Sequence, residues 1–175
     1  MNVVSIAKFR HTTPSTRKQT MHKSSSVFSI STSKAWLSIF VGGMVAGGLD
    51  LISAFMTFGA GVPRVIAAGL LGRSAIQGGT GVYILGVALQ FFIAISAAAI
   101  YYAASRRLTF LIEHPLVCGL FYGIAVYLVM NLIVLPLCAL HAHGPYQLAG
   151  LIQGLLVHMF LIGLPISFSV RQFSK

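Results

Sequence analysis

The sequence predicts an all-α integral membrane protein: a four-helix bundle with a short interfacial helix between spans 1 and 2. Three observations predict it. The 175-residue chain is 57% hydrophobic and only 8% charged, where a soluble domain carries about 25% charge. The apolar residues gather into four runs, about 35–58, 80–104, 115–140 and 148–170, each reaching the ~20 residues that cross ~30 Å of hydrocarbon as a helix. The 12 Lys and Arg stand against only two acids, Asp50 and Glu113, and they cluster in the N-terminal segment and at the ends of the apolar runs.

Residues 1–34 are basic, rich in Ser and Thr and free of acid, the composition of a disordered tail. An organelle transit peptide has the same composition, and a start at Met21 would leave a shorter basic leader. The first apolar run is too long for a signal peptide, carries Asp50, and has no small-x-small cleavage site after it. The connection 59–79, GAGVPRVIAAGLLGRSAIQGG, is too polar and too short to span. Val62, Val65, Ile66 and Leu70 recur there at helical spacing with Arg64 and Arg73 elsewhere on the wheel, which predicts the short amphipathic helix, and Pro63 suits its first turn. The turn 105–114 carries Arg106, Arg107 and Glu113, and Pro115 opens the third span. The turn 141–147, HAHGPYQ, holds a Gly-Pro break. Residues 172–175 close the chain. Trp36, Tyr101, Tyr102, Tyr122 and Tyr146 lie near run ends or turns and read as interface anchors.

The formal charge of +10 invites a nucleic-acid reading, but the placement of the charges fits membrane topology instead. With the N-terminus inside, the inner side holds Lys8, Arg10, Arg17, Lys18, Lys23, Lys34, Arg106, Arg107, Arg171 and Lys175, and the outer side only Arg64 and Arg73. This bias predicts both termini in the cytoplasm of a bacterial inner membrane, or in the inner compartment of an organelle if the tail is a transit peptide. Cys118 and Cys138 lie twenty positions apart in one run, about 30 Å along a helix, too far to bridge. His141 and His143 form an HxH pair, which reads as an ordinary polar turn. Gly-Gly-Thr-Gly at 78–81 lacks the Lys-Ser/Thr of a phosphate loop. No Ser/His/Asp set, zinc motif or cofactor fingerprint occurs in the sequence, so no catalytic residue, metal ligand or cofactor is assigned.

The informative residues are polar ones within the apolar runs. Asp50 lies sixteen positions past Lys34, Gln90 sixteen before Arg106, Asn131 seventeen past His114 and His158 thirteen before Arg171. At ~1.5 Å per residue each stands roughly 20–25 Å from its inner anchor. Every span thus brings one strongly polar side chain to one level. Small residues share their stripes: Gly43, Gly47 and Ala54 with Asp50, Gly86 with Gln90, Gly119 and Gly123 with Asn131, Gly150 and Gly154 with His158. Such stripes let backbones approach closely, and a polar group on one should face protein, because exposing it to lipid costs several kcal/mol. The expected cluster is therefore Asp50, Gln90, Asn131 and His158, packed through Gly43, Gly47, Gly119, Gly123, Gly150 and Gly154. Pro136 and Pro165 interrupt the third and fourth spans, as tolerated kinks or as sources of freed carbonyls.

In GGLDLISA (47–54), MNLIVLPL (130–137) and HMFLIGLPIS (158–167) the chain resembles a group of small bacterial four-span inner-membrane proteins with no assigned activity, over roughly residues 40–171. In layout it is also distantly similar to small inner-membrane proteins linked to acid tolerance. The resemblance implies fold and location and no chemistry. Two functions follow from the residues. One is a structural or accessory membrane protein whose polar layer specifies packing. The other is a small proton- or cation-conducting transporter or channel using Asp50 and His158. A membrane enzyme is a third. The expected partners are the lipid bilayer and, through the GxxxG pairs, a homo-oligomer, with no nucleic acid.

Overall fold

The computed structural model describes residues 19–141 and 147–173, with side chains from residue 33 onward. The chain divides into two units, Met1–Ser33 and Lys34–Lys175. Of the tail expected to be disordered, residues 1–18 lie outside the described residues, and the backbone is helical from Gln19. The account below concerns the second unit. Among the described residues every regular element is helical.

Four helices are long and apolar enough to cross a membrane: Ser33–Phe58 within α1 (Gln19–Phe58), α3 (Thr80–Ser105), α4 (Pro115–Leu137) and α5 (Leu148–Phe173). The short apolar helix α2 (Val62–Leu71) lies between the first and second of them, as the sequence predicts. Pro63 and Pro115 sit in first turns, where a missing N–H is harmless. Gly59 and Gly72 take φ of 84° and 89° at the ends of α1 and α2, the left-handed region that glycine enters without steric penalty.

Small residues line the helix seams, and most large apolar side chains face outward. Phe40, Ile52, Met56, Ile84, Phe92, Ile100, Phe121, Leu132, Leu137 and Phe160 are all exposed. A soluble protein would bury them; in a bilayer the lipid covers them. Helix association in lipid has no hydrophobic drive and depends on close packing. The glycines provide it. A Cβ on Gly43 would lie 2.6 Å from Ile95 Cα, and one on Gly47 2.9 Å from Ala94 Cβ, so α1 and α3 run antiparallel with main chains nearly touching. Gly119 meets Ser167 and the Gly163 carbonyl, and Gly123 meets the main chain of His158 and Met159, which joins α4 to α5. Gly154 packs on the Tyr127 ring. Gly150 is half-buried.

Two hydrogen bonds complete a ring of neighbours in the order α1–α3–α4–α5. Tyr122 Oη donates to the Ala97 carbonyl at 2.6 Å, tying α4 to α3. Ser169 Oγ donates to the Ser38 carbonyl at 2.9 Å, tying α5 to α1. The half of the bundle near Ser38 and Ser169 is termed proximal, the other distal. The proximal half holds the core: Ala46, Ala98, Tyr101, Ile162, Ile166 and Val170, with Tyr122 and Val126 packed against it.

One sequence expectation is corrected here. Tyr101 and Tyr122 are not interface anchors. Tyr101 is 1% exposed, donates to the Leu111 carbonyl at 3.1 Å and meets Tyr122 edge-on at 4.9 Å. Small neighbours such as Ala97 and Ala98 leave room for both rings inside. On α2 the protein-facing side is the one with small residues. Pro63, Ala67 and Ala68 are the buried face, while Val65 and Leu70 are exposed. The reason is the close approach at Gly86, where a Cβ would overlap the Pro63 carbonyl. Only small residues fit against α3 there, and the larger ones turn away.

Candidate functional site

Asp50 and Gln90 meet directly. Gln90 Nε2 donates to Asp50 Oδ2 at 2.6 Å, one helical turn beyond the Gly47 contact that brings α1 against α3. Both residues are half-buried.

Asn131 and His158 lie on the other helix pair, and each bonds to its own helix. Asn131 Nδ2 donates to the Tyr127 carbonyl at 2.9 Å. His158 Nδ1 is 2.9 Å from the Gly154 carbonyl. A carbonyl only accepts, so Nδ1 carries the proton. The His158 ring stands edge-on to Tyr127, with centroids 5.2 Å apart. The Tyr127 hydroxyl is buried without a hydrogen-bond partner.

The structure thus joins the four predicted residues as two sets, and among the described residues no hydrogen bond links Asp50 to Asn131 or His158. Asp50 and His158 nevertheless share a level, whereas Asn131 lies eight positions beyond Gly123, the α4 residue packed on the His158 main chain. Asp50 lies twelve positions beyond Ser38, and His158 eleven before Ser169, on helices tied at that serine pair; both stand ~16–18 Å along the axis from the tie. On the distal side, Gln153 Nε2 donates to Thr57 Oγ1 at 3.2 Å, which brackets the same register. Asp50 and His158 therefore occupy matching positions on neighbouring antiparallel helices, with their side chains engaged elsewhere.

Packing changes at this level. On the proximal side each spanning helix contributes several buried residues. Distal of Leu51, Tyr127 and Ile162, no described residue of α1, α4 or α5 is buried, and on α3 only Gly86 is, under α2. Two backbone features accompany the change. Met130–Val134 in α4 and His158–Gly163 in α5 are π-helical. In each, a leucine immediately before a proline reaches back five residues: Leu135 N–H bonds to the Met130 carbonyl and Leu164 N–H to the Met159 carbonyl. Pro136 and Pro165 lack the N–H that an α-register would use, and the wider turn absorbs the fault.

Both π-helical stretches come from one sequence pattern. MNLIVLP (130–136) and MFLIGLP (159–165) share five of seven residues. Aligned with each other, the two segments are the signal in the sequence that marks this pair. Gly42, which packs on Ser169, Gly163, which packs on the Gly119 carbonyl, and Tyr127 carry contacts that the sequence reading missed. Tyr127 stands one turn before Asn131, a spacing that marks them as neighbours. His141 has φ 47° in the turn after Cys138, and His143 lies outside the described residues. Cys118 and Cys138 are free thiols.

No protein-family model, no curated protein and no solved structure matches the chain.

Proposed function

We propose that this chain is an accessory protein of the bacterial inner membrane, with both termini on the cytoplasmic side, whose polar level fixes the pairing and register of its four spans. The Gln90–Asp50 bond between α1 and α3 carries the reading. It places the strongly polar carboxylate against a donor from the neighbouring span, and interhelical bonds of this kind set partner and register at about 0.6–2 kcal/mol each. Asn131 and His158 donate to carbonyls of their own helices, so their polar N–H groups are satisfied inside the apolar spans. The asymmetry of Lys and Arg supports the orientation, and the four long apolar helices support the membrane.

Flux measurement tests the reading. The purified chain, reconstituted in liposomes under imposed potassium and proton gradients, should release neither ion faster than protein-free vesicles. Dissipation that disappears in Asp50→Asn would replace the accessory role with a conducting one. Reporter fusions after Gln77 and Lys175 test orientation: the first should report the exterior and the second the cytoplasm.

A further inference from the structure

Arg64 is a fixed charge without a counter-charge in the chain. It stands in the first turn of α2 beside Pro63 and is half-buried. Its Nε donates to the Gly78 carbonyl at 2.8 Å, and its guanidinium carbon lies over the Tyr83 ring, 5.4 Å from the centroid. The loop before α3 and the first turn of α3 thus orient the group, and neither supplies an anion. The whole chain has only two acidic side chains. Asp50 accepts from Gln90. Glu113 lies beyond the opposite end of α3, whose 26 residues cover ~39 Å. The connection 59–79 contains Arg64 and Arg73 and no acid. Nη1 and Nη2 of Arg64 can only donate, and among the described residues neither has an acceptor.

We infer that Arg64 binds the phosphodiester of one anionic phospholipid at the distal end of the bundle. α2 exposes Val65, Leu70 and Leu71, side chains that lipid covers in a membrane-spanning bundle, and a helix of this kind lies at the hydrocarbon boundary. The contacts to Gly78 and Tyr83 hold the guanidinium at the start of α3, where the span gives way to headgroups. Gly79, Thr80 and Gly81 are exposed, and a Cβ on Gly79 or Gly81 would meet nothing within 4 Å, so the loop that orients the group is open to its surroundings. A phosphodiester offers two charged oxygens that the Nη1/Nη2 edge meets with parallel hydrogen bonds. A zwitterionic headgroup brings its own cation to a connection already holding two unbalanced arginines, so a lipid of net negative charge fits best. The inference goes beyond the accessory reading and does not rest on it.

The test uses the full chain, stripped of lipid in an uncharged detergent. Thermal unfolding is followed while phosphatidylglycerol, phosphatidylcholine with the same acyl chains, or inorganic phosphate is added at constant ionic strength. Phosphatidylglycerol should raise the melting temperature saturably, by roughly 5–10 °C at ~100 times its dissociation constant, and native mass spectrometry should count one bound lipid per chain. Phosphatidylcholine and inorganic phosphate should reproduce little of the shift. Arg64→Gln should abolish it. Arg64→Lys keeps the charge without the planar fork and should weaken apparent affinity severalfold. Arg73→Gln removes an exposed charge from the same connection and should leave the affinity nearly unchanged. No saturable shift in the wild type, an equal shift with phosphatidylcholine or with inorganic phosphate, a shift kept in full by Arg64→Gln, or equal losses in Arg64→Gln and Arg73→Gln overturns the inference. If Arg64→Gln does not fold, unchanged affinity in Arg64→Lys does so. Ion flux in liposomes would instead overturn the accessory role and leave the lipid site standing.

Discussion

The Gln90 carboxamide donates to the Asp50 carboxylate at 2.6 Å, the one hydrogen bond among the described residues that joins half-buried side chains of two spans. Replacing one partner leaves the other polar and unpaired beside lipid, while replacing both leaves an apolar seam. Asp50→Leu and Gln90→Leu should each destabilise the bundle, and the double variant should lose less than the sum. The coupling should be about 0.6–2 kcal/mol. Reversible unfolding of the four proteins in one detergent measures it; additive losses would show that the bond contributes nothing specific.

Two tyrosines on one helix should respond oppositely to the loss of a hydroxyl. Tyr122 Oη bonds to the Ala97 carbonyl of the neighbouring span, so Tyr122→Phe should cost about 1 kcal/mol. Tyr127 Oη is buried with no partner, and an unsatisfied buried group is itself unfavourable by ~1–3 kcal/mol. Tyr127→Phe should therefore be neutral or stabilising. Melting temperatures of both variants decide it.

Glycines in these helices fall into two kinds. A Cβ on Gly123 would meet the main chain of His158 and Met159, whereas a Cβ on Gly48 has nothing within 4 Å. Gly123→Ala must push two backbones apart and should cost about 1–3 kcal/mol. Gly48→Ala should be tolerated, or gain ~0.5–1 kcal/mol from reduced backbone freedom in the unfolded chain. Comparable losses in both would contradict the seam geometry.

The fold-back of α2 can be fixed covalently. Ala139 N–H donates to the Gly69 carbonyl at 2.7 Å, and a Cβ on Gly69 would lie 3.7 Å from Cys138 Cβ. That is within the ~3.5–4.5 Å of disulfides. Gly69→Cys in a Cys118→Ser background should therefore form a bond to Cys138 under mild oxidation. Mass mapping of the oxidised protein checks this; persistent free thiols at both positions would place α2 elsewhere.

How much of this was legible beforehand differed by feature. The spans were plain because length and hydropathy decide them. The seam glycines at 43, 47, 119, 123 and 154 followed from their spacing and from the need of helices in lipid for close packing. The Asp50–Gln90 contact was within reach because both residues share stripes with small neighbours and lie at one depth. What failed was direction. The depth of His158 was legible from its distance to Arg171, but the bonding of Asn131 and His158 to their own helices depends on χ angles and on the local π-helical turn. The tyrosines misled because position near a run end says nothing about which side of the helix the ring occupies. On α2 the apolar stripe was legible, but not what the other face would meet: the backbone approach at Gly86 admits only Pro63, Ala67 and Ala68.

The seams of main chain against main chain have a consequence for how this protein can vary. In a soluble domain the interior constrains chemistry and the surface is permissive. Here the contact surface of α4 and α5 is made of missing side chains at Gly119, Gly123 and Gly163, so almost any gain in volume is forbidden there. The periphery, by contrast, requires only that a residue be apolar. Drift should therefore exchange Leu, Ile, Phe, Val and Met freely around the outside while the glycine seams stay fixed. The recognisable signature of this architecture is its pattern of smallest residues, not its hydrophobic ones.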